Sequence, residues 1–447
     1  MIILATTATA QPANKASKSN IADSSSSTWK VVERARELVW VLSGKFSLLG
    51  GNAVLMLFLA HRLDLDTYGL LVLTIGLQLL FSRLLMLGVE IGMIRLSRTT
   101  ELSSRSNQVL TSGLVVILGA TGVFILASLA AAAGLSWLGI PVWLLVCIVA
   151  GAIGTSLVDY VYSVRLVRHE YPLAAFAQGG TSIWRLGLTA LVSVLLPASA
   201  PVVFIAYHGA SLLSGLAQTL ALRGLGRPWP DRALVRRLLR YSLWQGKTNV
   251  LVIFSLYQGT FLLMLLGQQA ATGIFGLGLT LSLGFLAIYN AFFEYLLARI
   301  GSVRNLGDLP SFLTRAFGAS LVLVGGCVPV VLGIAVLVPW LLRPELSSVV
   351  PIFYYLAAST VLLIFQAPLE VASHYLMRPQ LISIVWLMRA VFIAVPGFIL
   401  APTKGVIGAA IAQLIGSAVA LFVLAAAVYR AFKLAAEALP VSATEPQ

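Results

Sequence analysis

Residues 32–45, VERARELVWVLSGK, and residues 234–247, LVRRLLRYSLWQGK, open two long apolar stretches of one chain in the same way. Each sets a basic residue, Arg34 or Arg236, ahead of a Gly-Lys pair, Gly44-Lys45 or Gly246-Lys247. Farther along, Tyr68-Gly69-Leu70 is matched by Phe275-Gly276-Leu277. Glu90, followed five residues later by Arg95, is matched by Glu294 followed by Arg299. Trp184-Arg185 has a looser counterpart in Trp386 and Arg389. Several matches in register indicate an internal duplication.

The stretches that follow are too apolar for a soluble domain. The 447 residues are 59% hydrophobic and 10% charged, with a mean hydropathy of +0.94, where soluble chains carry about 25% charged residues. A helix needs roughly 20 apolar residues to cross a bilayer. Apolar runs between charged or Pro/Gly breaks predict spans at 38–61, 68–94, 109–133, 141–164, 172–196, 201–222, 241–266, 272–298, 314–341, 349–376, 379–400 and 405–429. Continuous apolar runs favour helices, because a barrel strand alternates polarity. The expected fold is therefore an all-α polytopic membrane protein of about twelve transmembrane helices. Two six-helix bundles share one orientation and are related by a pseudo-two-fold axis along the membrane normal. Parallel repeats of this kind are a transporter architecture with a site near the midplane.

The net charge of +14 reads as a topology signal rather than a nucleic-acid surface. Of the 30 Lys and Arg, five lie inside spans, and only Arg62, Arg343 and Lys404 fall in one set of alternate loops. The others share the opposite side, which the positive-inside rule makes cytoplasmic, with both termini. Attraction to anionic membrane lipids follows from the same charge. Expected boundaries are a disordered cytoplasmic tail over 1–30, a first bundle over 31–224, a basic linker over 225–240, a second bundle over 241–433 and a tail over 434–447. MIILATTATA lacks the basic start and the apolar length of a secretory signal. Cys147 and Cys327 both lie in spans, where no disulfide or metal motif is expected, and no cofactor motif is present.

The five cations within spans are Lys45, Arg83, Arg185, Lys247 and Arg389. A cation near the bilayer centre costs about 2.5–3.5 kcal/mol on the mildest scale, so each needs water, an acid or an anionic cargo. Lys45 and Lys247 sit about two turns into their helices. Two readings stand: snorkelling to the headgroups, or a symmetric pair of cations at a cytoplasmic mouth. Arg83, Arg185 and Arg389 lie about 12–15 Å from the nearer helix end, too deep to snorkel easily. They suit either structural ion pairs or contact with a phosphate, which the arginine fork holds with two bonds. Arg83 and Glu90 are two turns apart on one continuous helix and are not expected to touch. Gln178, Thr181, Arg185 and Thr189 form a stripe that suits a wet wall.

The acids inside spans are Glu90, Glu294, Asp159 and Glu370. Each is a candidate for ion coupling, with pairing to a basic neighbour as the alternative. His208 and His374 read as hydrogen-bonded core. Asp64-Leu65-Asp66 is too short and too far from cytoplasmic nucleotide sugars to read as a catalytic metal motif, so no catalytic residue is expected. Gly273, Gly276 and Gly278 suit close helix packing.

The first helix, entered through Ser43-Gly44-Lys45 and leading to Ala60-His61-Arg62-Leu63 and Asp66-Thr67-Tyr68-Gly69-Leu70, resembles the polysaccharide-biosynthesis flippase family. So does Leu87-Gly88-Val89-Glu90 with Ile94-Arg95. That family belongs to the multidrug/oligosaccharidyl-lipid/polysaccharide exporter superfamily, and the similarity is clearest over 38–100. The resemblance implies two bundles around a cationic cavity and a bacterial inner-membrane location. It implies an undecaprenyl-diphosphate-linked oligosaccharide as cargo, moved to the outer leaflet for surface, lipopolysaccharide or exopolysaccharide synthesis beside glycosyltransferases and a polymerase. An acid often found just before the Gly of the second motif is Leu87 here, after Met86, and no role is carried to that position.

The leading expectation is thus a flippase, not an enzyme, binding cargo through Arg83, Arg185, Arg389, Lys45 and Lys247. The alternative is a cation-coupled multidrug exporter of the same superfamily. Gly44 to Ala60 lacks the acid that such exporters commonly place in the first helix. A membrane polysaccharide polymerase or ligase is a weaker alternative, because the external loops are short.

Overall fold

A computed structural model of the chain describes residues 22–97, 106–137, 141–196, 199–222, 231–300, 303, 305–378 and 380–437. The described residues are helical and contain no strand. The helices are α1 (Ala22–Arg62), α2 (Leu65–Met86), α3 (Val89–Leu96), α4 (Ser106–Trp137), α5 (Val142–Val167), α6 (Tyr171–Leu195) and α7 (Ala200–Leu220). After them come α8 (Arg232–Leu265), α9 (Gln269–Arg299), α10 (Leu309–Leu341), α11 (Val349–Tyr375) and α12 (Gln380–Glu437). Helix α1 takes in 22–30, which the sequence reading assigned to a tail, and α8 takes in 232–240, assigned to a linker. The rest of that tail, 1–21, most of the connection before α8, and 438–447 lie outside the described residues.

Ten of these helices are long and apolar enough to cross a membrane. Helix α6 is not among them, because its inner face carries Thr181, Ser182, Arg185, Thr189 and Ser193. Helix α12 holds two crossings. Gly405 breaks it with φ 58° and ψ −135°, and the second arm folds back on the first. A Cβ on Gly408 would lie 2.2 Å from the Leu400 carbonyl, and one on Gly416 would lie 3.0 Å from that of Arg389. The predicted gap between 400 and 405 falls at this hairpin.

Helices α1 to α7 and α8 to α12 repeat one arrangement. Helix α1 packs on α6 as α8 packs on α12, and α2 on α5 as α9 on α11. Helices α5 and α11 even end alike. His169 and Met377 both adopt φ 57°, and the next N–H, of Glu170 or Arg378, reaches back 2.9 Å to the carbonyl of Arg165 or Ser373. A left-handed non-glycine residue costs roughly 1–2 kcal/mol, so finding one at both matched ends supports the duplication.

The second expected helix, 68–94, is not continuous. Leu87 and Gly88 are both left-handed, with φ 49° and 74°, and divide α2 from α3. Gly88 also lies against α8, where a Cβ would come within 2.5 Å of the Gly246 nitrogen. The halves meet again at the opposite face, where α2 and α9 begin. A Cβ on Gly69 would fall 2.0 Å from the Gln269 carbonyl, and Arg343 donates to the carbonyls of Ala60 and Leu63 at the end of α1. The latter face, here the far face, is closed. The near face, where α1 and α8 begin, holds the cavity bordered by Lys45, Arg83 and Glu294.

Candidate functional site: a mixed-charge chamber between the halves

A cavity of about 390 Å³ lies between the halves, bordered by Lys45 of α1, Arg83 of α2, Asn249 of α8, Glu294 of α9, Glu370 of α11 and Trp386 of α12. Its charges are answered at short range. Lys45 Nζ lies 2.5 Å from Glu294 Oε1, and Arg83 Nη1 lies 3.0 Å from Asp159 Oδ2 and 4.0 Å from Glu90 Oε1. The last contact corrects the expectation that Arg83 and Glu90 stay apart. The left-handed pair at 87–88 ends α2 and swings α3 so that Glu90 comes back to Arg83. Glu90 also accepts from Asn249 Nδ2 at 2.7 Å. Glu90 and Glu294, matched in the two halves, therefore each reach across to the first helix of the other half.

Glu370 is held differently. Tyr289 donates its hydroxyl to one carboxylate oxygen at 2.6 Å, while Gln366 Nε2 and Trp386 Nε1 donate to the other at 2.7 and 3.2 Å. The side chain is 3% exposed and makes no ion pair among the described residues. A buried carboxylate with neutral donors can take up a proton or a small cation without losing a salt bridge. Gln366 sits one turn before Glu370, a spacing visible in the sequence. Tyr289 and Trp386 come from other helices, and only the fold brings them in.

The remaining predicted cations do not join this chamber. Arg389 is fully buried, with Nε 3.1 Å from Ser417 Oγ, Nη1 3.2 Å from Ser255 Oγ and its guanidinium 4.9 Å over the Trp386 ring. It borders no described cavity. Arg185 takes the same place in the first half, bonded to Asn52 Oδ1 and Tyr207 OH at 3.1 Å and stacked 4.9 Å over Tyr207. It borders a second cavity of about 140 Å³ with Asn52, Tyr257 and Thr280, and no acid lines that space. Lys247 is exposed and lies 4.6 Å over Trp244, beside an apolar cleft. The expected symmetric pair of lysines is thus split, with Lys45 in the chamber and Lys247 outside it.

The chamber is not the cationic vault that the sequence suggested. Its wall sets two cations, Lys45 and Arg83, beside two acids, Glu294 and Glu370, and Asp159 and Glu90 add negative charge behind Arg83. The polar stripe on α6 is packed at Thr181 and Thr189, while its Arg185 borders the smaller cavity. Thr181 Oγ1 lies 2.9 Å from Ser214 Oγ, Ser182 donates to the Ser47 carbonyl, and Thr189 is fully buried. His208 bonds Gln78 Oε1 and Thr74 Oγ1 as core, whereas His374 borders the chamber. Asp64 caps α2 through the Thr67 N–H at 2.8 Å, which holds its carboxyl below the ordinary value. Cys147 and Cys327 are buried free thiols.

No family model matches the chain, and no curated protein matches it in sequence. Solved structures match it in shape. The MATE transporter VcmN from Vibrio cholerae superposes with a TM-score of 0.56 at 18% identity, over 90% of this chain and 96% of that one. The MATE multidrug transporter DinF-BH gives 0.61 at 16% identity, over 89% and 96%. An outward-facing multidrug-resistance MATE family transporter of the MOP superfamily gives 0.58 at 16%, over 90% and 96%. At these identities the likeness is one of fold. The chain is a multi-pass membrane protein with the fold of the MATE transporters, two six-helix bundles around a central chamber.

Proposed function

We propose that the protein is an alternating-access exporter of the MATE type, coupled to proton or cation entry through Glu370. The observation that carries this reading is the Glu370 cradle: a carboxyl on the chamber wall, held by three neutral donors and by no ion pair among the described residues. The closed far face and the cavity toward the near face describe one half of such a cycle. With the near face cytoplasmic, as the loop charges predict, cargo enters from inside. An amphipathic organic molecule suits a wall of paired charges and aromatic rings better than a bare polyanion does.

A second reading is a flippase for a diphosphate-linked oligosaccharide. It rests on the resemblance of residues 38–100 and on the acid-free pocket at Arg185, where a phosphate oxygen would meet Asn52 and Tyr207. The experiment that separates the two uses proteoliposomes under an imposed pH or sodium gradient. Gradient-driven movement of a fluorescent amphiphilic cation, lost in Glu370→Gln with cargo binding retained, supports the exporter. Gradient-independent translocation of a lipid-diphosphate glycan that needs Arg185 supports the flippase and rejects the coupled reading.

A further inference from the structure

A second pocket opens beside the chamber, between the end of α3 and the start of α8, with a volume of about 250 Å³. It borders the chamber through Gln245, Thr248 and His374, which line both. Arg95 and Arg240 line it, and no acid does. Arg95 donates to the Tyr241 hydroxyl and stacks 5.2 Å over the Tyr241 ring, which fixes its guanidinium. Arg240 is exposed and makes no ion pair or hydrogen bond among the described residues. Two cations lining one pocket without an acid in its wall repel each other, and an anion bound between them would relieve that repulsion.

The rim of the pocket is of another kind. Trp244 is 56% exposed and Ile91 36%, and both line the pocket, so one wall is open to whatever surrounds the apolar belt. Indole and phenol groups concentrate where acyl chains give way to headgroups. Arginine donates two bonds to one phosphate, and Thr248 and Gln245 stand beside the pair with further polar groups. A basic, acid-free pocket with an apolar rim at a membrane boundary has the chemistry of a lipid phosphate site.

We propose that this pocket binds the phosphate group of an anionic membrane phospholipid through Arg95 and Arg240, with the acyl chains lying along Ile91 and Trp244. Free inorganic phosphate offers the same oxygens without the chains, so the test has to distinguish the two sources. The assignment stands whether or not the chamber transports an amphiphile.

Trp244 is the reporter, isolated as the difference in emission between the full-length protein and Trp244→Phe. Both are placed in phosphatidylcholine vesicles containing brominated phosphatidylglycerol or, at the same mole fraction, brominated phosphatidylcholine. Brominated phosphatidylglycerol is expected to quench the Trp244 emission several-fold more strongly. In the Arg95→Gln/Arg240→Gln variant that preference is expected to vanish, while Arg315→Gln, a basic position elsewhere on the near face, retains it. Should the double variant fail to fold, Arg240→Gln alone, which removes no bond of the fold, is expected to weaken the preference at least twofold. Equal quenching by the two lipids, or a preference that survives loss of both arginines, overturns the site. Relief of quenching by inorganic phosphate at constant ionic strength overturns the lipid as its natural ligand.

Discussion

Lys45 Nζ of the first half and Glu294 Oε1 of the second lie 2.5 Å apart across the near face, while Arg343 of the second half holds the end of α1 across the far face. Each contact joins the halves on one side only, so each resists opening of its own face. Removing one is expected to shift the conformational balance in the opposite direction from removing the other.

The two shifts differ in size. The Lys45–Glu294 side chains are 17% and 48% exposed, and water-screened pairs contribute about 0.2–1 kcal/mol. Lys45→Met is therefore expected to move the balance toward the near-open state by no more than about fivefold. The Arg343 guanidinium donates to two carbonyls that end a helix and lack helical partners, and charged hydrogen bonds contribute roughly 1.5–3 kcal/mol. Arg343→Met is expected to favour the far-open state by about tenfold or more. Spin-label distances across each face measure both, and a shift of the same sign in the two variants would refute the two-latch reading.

Arg83 and Arg389 are both cations inside spans, Arg83 half-buried and Arg389 fully buried, yet their removal should differ sharply. Arg83→Met leaves the half-buried Asp159 and Glu90 without their cation, and an uncompensated charge costs up to about 3–5 kcal/mol when fully buried. Thermal unfolding in detergent should show a large loss, partly restored by adding Asp159→Asn. Arg389→Met takes away a cation that makes no ion pair among the described residues, feels Glu370 only through space, and leaves its Nη2 without a bond. The serines it touches keep their own bonds, Ser255 to the Val252 carbonyl and Ser417 to that of Gln413. Unfolding of Arg389→Met should come at the wild-type temperature or above it. A severe loss there would show that Arg389 anchors the second half.

The membrane class, the two-bundle fold and the duplication were legible because they depend on long apolar runs and on residue matches such as Lys45 with Lys247 and Glu90 with Glu294. The charge balance of the chamber was not. Sequence spacing places Glu90 two turns from Arg83 only if the helix continues, and nothing in Leu87-Gly88 compels the reversal that brings them together. Asp159 reaches Arg83 from another helix. Lys45 and Lys247 look alike in sequence, but α1 turns its lysine to the interface while α8 turns its own outward. The partners of Glu370 were half legible: Gln366 by spacing, Tyr289 and Trp386 by the fold alone.

The reversal at 87–88 also makes a prediction about backbone geometry. Gly88 has φ 74°, and a Cβ there would meet the Gly246 nitrogen and Ser242 carbonyl at 2.5 Å. Both are backbone atoms of α8, so neither can rotate away. Gly88→Ala must bear a left-handed residue, roughly 1–2 kcal/mol, and also push α3 from α8, which loosens the contact of Glu90 with Arg83. Gly187 of α6 has an ordinary helical backbone and open space around its Cβ position, so Gly187→Ala should instead stabilise by about 0.5–1 kcal/mol. Unfolding temperatures of the two variants, measured side by side, are expected to move in opposite directions. If Gly88→Ala unfolds like the wild type, the tight crossing of α3 on α8 does not hold Glu90 in place, and the pairing that neutralises the chamber must have another origin.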